Sequence, residues 1–180
     1  MILKNGNTIH LQGKDISYIM FQNESGDLLH FYFGRKISDC DYSLMKEEWL
    51  EKWGFSSNEN PLDVYPQEYP AYGYTDLRNP AYQIEHGFGN AVSRLKIKEY
   101  FIHNDTTAII EGMPYLFKGD KKADTLEIIL YDEIIDFEVH LYYTIFDEYN
   151  IIARNAVLIN KSKHPMKLLS AYSADRKSVV

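Results

Sequence analysis

The sequence predicts an all-β fold, an antiparallel β-sandwich with little helix, on three observations. Aromatic residues make up 14% of the chain, with 15 Tyr and 9 Phe, and such rings suit a pleated, half-buried surface. Short segments rich in β-branched and aromatic residues recur between turn-forming clusters, with turns roughly every ten residues. No alternating strand–helix pattern runs along the chain, so parallel α/β architectures are disfavoured. With 180 residues, 45% of them hydrophobic, the chain is long enough for one domain with a real core.

The elements follow in order. Residues 8–11 read as a short strand after the Asn5-Gly6-Asn7 turn. Residues 16–22 and 28–33 form a hairpin across the Glu24-Ser25-Gly26-Asp27 turn, whose composition is that of a turn. The period then changes. Leu44, Met45, Glu48 and Trp49 fall at helical spacings, with Asp41 or Ser43 as a cap, which predicts a short helix or helical loop over 41–53. Residues 58–74 are irregular, with Pro61, Pro66 and Pro70 removing ladder donors. A loop this long inside a compact domain is often functional. Strands return at 81–85, 94–103, 124–131, 133–146, 150–160 and 166–173, and Asp147-Glu148-Tyr149-Asn150 makes a hairpin turn. Alternation from Asp136 to Leu141 predicts a sheet with one wet face.

Composition argues against several functions. A net charge of −7 disfavours nucleic acid and anionic membrane surfaces as partners. The densest basic stretch, Arg94, Lys96 and Lys98, alternates with Leu95 and Ile97 and reads as one solvated strand face. Cys40 is the only cysteine, so neither an intrachain disulfide nor a thiolate metal site is available. No cofactor and no metal are expected. Gly87-Phe88-Gly89 has no third glycine and no following helix, unlike a nucleotide loop. The six His are scattered, and His30 and His140, each within a strand, read as structural. The first ten residues contain no long apolar run; no secretory signal or bilayer span is expected, and the expected location is cytoplasmic.

Carboxylate pairs are not nominated either. Asp132 and Glu133 are adjacent and would point to opposite faces of a strand. Asp147 and Glu148 sit in a turn. A retaining glycosidase needs two carboxyl groups about 5–5.5 Å apart across the sugar.

The most informative stretch is Gln67-Glu68-Tyr69-Pro70-Ala71-Tyr72-Gly73-Tyr74-Thr75-Asp76-Leu77-Arg78-Asn79-Pro80-Ala81. Prolines and a glycine pin the backbone, and Tyr72 and Tyr74 offer stacking faces. Asp76 and Arg78, two apart, project the same way if extended. Such a pair either grips a polyol or braces the loop, and the residues alone leave both open.

This stretch resembles the Tyr-Pro-x-Tyr-Gly-x-x-Asp-x-Arg-x-Pro-Ala signature of the N-terminal domain of family 36 glycoside hydrolases, the bacterial-type α-galactosidases. Further matches follow in order: Leu28 to Arg35, Glu111-Gly112-Met113-Pro114, Thr125-Leu126-Glu127-Ile128 with Asp132, Leu141-x-Tyr143-Thr144-x-Phe146, Ile151-Ile152-x-Arg154, and Leu168 to Ser173. The resemblance implies an N-terminal β-supersandwich, a following (β/α)₈ catalytic barrel and a small C-terminal sheet domain. Members cleave terminal α-galactosyl units from melibiose, raffinose and related sugars with retention and without a metal, commonly as homo-oligomers. The family nucleophile is an Asp in a Lys-Trp-Asp motif on the barrel. Lys52-Trp53-Gly54 departs from it, so no catalytic residue is expected in this chain. The expected domain is a single supersandwich over 1–180, cut short before the barrel, with a tail from Ala174 that leaves the family pattern. Tyr72, Asp76 and Arg78 match the motif and carry over as helpers near the galactose pocket. Two other readings remain: a free-standing carbohydrate-binding or assembly module of the same fold, and a mutarotase-type epimerase. The epimerase needs a His pair and a late Glu base that the sequence does not supply.

Overall fold

The computed structural model describes residues 1–42, 45, 66–74, 79–87, 89–106, 119 and 121–172. Among these, ten strands form three antiparallel sheets. The first sheet is a meander of β1 (Ile2–Asn5), β2 (Thr8–Gln12), β3 (Ile16–Gln22) and β4 (Leu28–Arg35), ordered as in the chain. β5 (Tyr82–Glu85) pairs with β10 (Lys167–Ala171). The third sheet is a second meander of β6 (Lys96–His103), β7 (Ala123–Asp132), β8 (Phe137–Phe146) and β9 (Ile152–Asn160). The predicted antiparallel sandwich is therefore observed.

Its core lies between the two meanders. Leu11, Tyr18 and Met20 meet Leu126, Ile128, Leu130, Val139, Leu141, Tyr143 and Ile145 in one continuous cluster that also takes in Tyr82 and Ile84 of β5. Along β7 and β8 these are alternate positions, as the two-residue period of a strand requires.

Four sequence expectations need correction or qualification. β1 is a strand, although residues 2–5 carry a weak pattern; Gly6, at φ 54°, turns it tightly onto β2. The strand expected over 133–146 begins only at Phe137. Residues 133–136 are a turn with Asp136 at φ 54°, and Asp132 Oδ1 accepts hydrogen bonds from the Ile134 and Ile135 amides inside it. The face of β8 expected to be wet is largely covered, since Glu138 is buried and His140 half-buried. Finally, the helical segment expected over 41–53 lies outside the described residues except for Asp41, Tyr42 and Met45.

β2 is buried on both faces. Ile9 and Leu11 face the sandwich core. Its other face is closed by polar contacts to residues 37–42: the Gln12 side-chain amide donates to the Ile37 carbonyl (3.3 Å), and Tyr42 Oη lies 3.2 Å from His10 Nδ1.

Candidate functional site

The proline-rich stretch is built into the sandwich as a brace. Residues 66–68 run beside β4: Leu29 bridges Gln67, the His30 amide donates to the Pro66 carbonyl (2.8 Å), and the Glu68 amide donates to the Leu28 carbonyl (3.0 Å). Ala71 then bridges Tyr82, and the Ala81 amide donates to the Pro70 carbonyl (2.7 Å). The stretch thus stitches the first sheet to β5. Tyr69 stacks on Tyr82, with ring centroids 5.4 Å apart and planes 13° from parallel.

Glu68 is the centre of this brace. Its side chain has no exposed surface, and its Oε1 accepts hydrogen bonds from Tyr18 of β3 and Tyr143 of β8, both at 2.7 Å. Arg154 of β9 donates from Nη2 to the Glu68 carbonyl at 2.8 Å and holds Nη1 3.7 Å from Oε1. His30 Nδ1 of β4 lies 3.5 Å from Oε2. The guanidinium also lies 5.4 Å from the ring centroids of both Tyr69 and Tyr143. Burial, and then the Glu68 charge, push the Tyr143 hydroxyl pKa well up, so Tyr143 acts as a donor here.

Of the predicted site residues, Tyr72 is 43% exposed at the outer corner of this loop. Its carbonyl accepts from the Ser93 amide at 3.2 Å. Gly73, at φ 76°, lies against Val92. Asp76 and Arg78 lie outside the described residues. Tyr74 is not a free stacking face. Its ring sits beneath Arg94 (5.0 Å) and Lys96 (5.4 Å) and packs on the small outer cluster of Phe21 and Leu29. Lys96 also donates to Asp27 at 2.6 Å, while Lys98 donates to Glu138 at 2.8 Å. These lysines of the basic stretch are thus neutralised locally.

Sequence reasoning passed over Glu68 and Arg154 as functional groups. A signal was present in the placement of a carboxylate two residues before a proline in the most distinctive stretch. Nothing local marked that carboxylate as buried, because its partners come from β3, β4, β8 and β9.

Other titratable clusters are structural braces. His10 Nε2 is 2.8 Å from Ser17 Oγ and its Nδ1 is 3.3 Å from Asp39, the order of a nucleophilic triad. Ser17 is fully buried, however, and its Oγ accepts from the Ile37 amide at 3.0 Å, so no substrate reaches it. Burial lowers the His10 pKa despite Asp39. On the outer face of the third sheet, Glu127 accepts from Tyr142 (2.8 Å) and lies within hydrogen-bond distance of His103 (2.9 Å) and His140 (3.0 Å). Burial opposes its charge, but these three bonds prevail and hold its carboxyl below the ordinary range. Glu138, held chiefly by Lys98, is likewise lowered. Among the described residues, no group of three or more His, Cys, Asp or Glu is arranged to hold a metal ion. No helix of the described residues is long and apolar enough to cross a membrane.

Between β9, β10 and the brace lies an open cleft of about 550 Å³, lined by Phe33, Tyr69, Tyr143, Ile152, Leu158 and Tyr172 among others.

Fold and loop together define a β-sandwich domain in which a rigid frame presents one braced, aromatic loop at its surface. Residues 26–177 match the glycosyl hydrolase family 36 N-terminal domain, and the chain belongs to that family. It is 37% identical over 171 residues to α-galactosidase AgaA of Geobacillus stearothermophilus, covering 91% of this chain and 23% of that protein. It is 35% identical to the bifunctional α-galactosidase/sucrose kinase AgaSK of Mediterraneibacter gnavus, over 88% of this chain and 17% of that protein. The crystal structure of AgaB, a GH36 α-galactosidase from Geobacillus stearothermophilus, superposes with a TM-score of 0.79 at 36% identity, over 95% of this chain and 24% of that one. Substituted forms of AgaA solved with raffinose and with stachyose superpose at 0.78 and 0.76 over 91% of this chain and 23% of theirs. The chain therefore spans about a quarter or less of the length of these relatives.

Proposed function

We propose that this chain is the front part of the β-supersandwich that precedes the catalytic barrel of a retaining α-galactosidase, and that it frames and presents a loop without supplying the reacting carboxylates. The observation that carries this reading is the family match over residues 26–177. Two of the described carboxylates agree with it. A general acid needs a raised pKa, whereas Glu127 and Glu138, both in contact with His140, are both lowered. The relatives solved with raffinose and stachyose suggest terminal α-D-galactosides as substrates of the longer protein. Tyr72, Asp76 and Arg78 then serve as helpers toward the galactose pocket. The rest of the supersandwich covers the apolar cleft beside β9. A cytoplasmic homo-oligomer is the setting the family resemblance suggests.

A turnover assay with a chromogenic α-galactoside tests this. The purified 180-residue chain is expected to give no hydrolysis above background, and the same chain continued by the rest of a family supersandwich and its barrel is expected to be active. Asp76→Ala and Arg78→Ala should lower that activity more than they lower the melting temperature. Robust hydrolysis by the chain alone, abolished by a substitution within it, overturns the reading.

A further inference from the structure

We infer that Glu68 is a positioning residue: a fully buried carboxylate, tied to both sheets at once, that sets where the Tyr72 corner stands on the sandwich. The argument begins with where its partners come from. Tyr18 belongs to the first sheet, Tyr143 and Arg154 to the third, and all three converge on one residue of an otherwise irregular stretch. The carboxylate side chain is wholly inside, and Tyr143 is 1% exposed. Burying a charged group this way is a poor route to stability, because desolvation consumes much of what the contacts return, and well-packed apolar replacements are often neutral or better. What the arrangement does supply is geometry. Two hydroxyls that donate to one oxygen fix its place between the sheets more narrowly than an apolar side chain would, and a buried polar network is satisfied in one arrangement only.

The consequence runs along the backbone. Four residues beyond Glu68, the Tyr72 carbonyl takes the Ser93 amide at 3.2 Å, and the Pro70 carbonyl takes the Ala81 amide at 2.7 Å. These two bonds are the far ends of the brace, and they report the position of the corner directly. Tyr72 has no comparable anchor of its own beneath it, since its side chain is on the surface. Glu68 therefore acts through Tyr72 and the residues that follow, and its role in catalysis rests on the proposal that this loop serves an α-galactosidase site.

The test separates positioning from stability by removing the carboxylate together with the two hydroxyls that donate to it, while Arg154 keeps its bond to the Glu68 carbonyl. In Tyr18→Phe/Glu68→Met/Tyr143→Phe neither hydroxyl is left buried without an acceptor, so the sandwich keeps its fold. Amide hydrogen exchange is then followed residue by residue in the 180-residue chain. Expected for the triple variant is about tenfold or greater acceleration at Ser93 and Ala81, with the amides of β7 and β8 within about threefold of the parent. Glu68→Gln, which keeps an oxygen for the two hydroxyls, should restore slow exchange at both. Slow exchange at Ser93 and Ala81 in the triple variant overturns the inference, and so does a uniform acceleration that includes β7 and β8. In the longer enzyme the triple variant should approach the kcat/KM of Tyr72→Ala, with Glu68→Gln near the parent. An unchanged Tyr72→Ala would instead defeat the loop's role in the enzyme, while the exchange experiment still decides the role of Glu68.

Discussion

Asp132 accepts from the Ser93 hydroxyl (3.1 Å), the Arg94 amide (2.6 Å), and the Ile134 and Ile135 amides (3.0 and 3.4 Å). In the sequence it stands beside Glu133 like half of a carboxylate pair. In the fold it is spent on closing the turn into β8 and fastening the approach to β6. Burial and partner count, not residue type, separate a structural acid from a catalytic one, and both are long-range properties. Tyr72, singled out in the sequence as a stacking face, stands on the surface. Tyr74 was misread as a free face, since Arg94 and Lys96 arrive from twenty residues away. At this scale the titration of Glu127 is also predictable. Its folded-state pKa lies below the ordinary 4.5, so its contribution to stability is complete above that value and is lost as the pH falls through the folded pKa. A melting-temperature profile should decline as the pH drops below about 4.5, the ordinary carboxylate range. Glu127→Gln should flatten part of that decline while lowering stability near neutrality. An unchanged acid limb would show that the cluster with His103, His140 and Tyr142 carries no linkage.

The long strands were readable from their two-residue period, and β7, β8 and β9 fall close to their expected positions. The start of β8 was not, because Ile134 and Ile135 carry the β-branched character of a strand while Asp132 folds residues 133–136 into a turn. β1 was missed since a four-residue edge element carries too short a pattern to register. Sequence alternation also fails to predict how fully a second face is covered, because the covering segment, as for β2, is remote. Within the brace, Gly73 is the element-scale pivot. Its φ of 76° is unfavourable for other residues, and a Cβ there would stand 2.7 Å from Val92 Cγ2. Gly73→Ala should therefore cost about 1–3 kcal/mol, read as a lowered denaturation midpoint at unchanged m-value. Gly73→Ala/Val92→Ala should recover only the steric part. Full recovery in the double variant would mean that the backbone conformation itself is unstrained.

At the scale of the molecule, the described surface is uneven. Between the two meanders the core is closed, but beside β9 the inner face opens into the apolar cleft, whose lining includes the exposed Phe33 (53%) and Tyr172 (60%). Among the described strands β9 pairs on one side only, and β10 pairs only with β5, whose other side takes the brace at Ala71. Unpaired strand edges template pairing with other chains, and contiguous apolar surface drives association. Tyr172 adjoins β10, on which Leu168 and Leu169 are also exposed. The isolated chain is accordingly expected to self-associate. Light scattering across a concentration series should give a weight-average mass that climbs above the 21.1 kDa of one chain. Tyr172→Lys, which places a charge at an exposed position of the cleft, should shift that climb to higher concentration. A compact monomer that unfolds cooperatively and stays monomeric at high concentration would mean that the cleft needs no cover, and would favour a free-standing module over part of a larger sandwich.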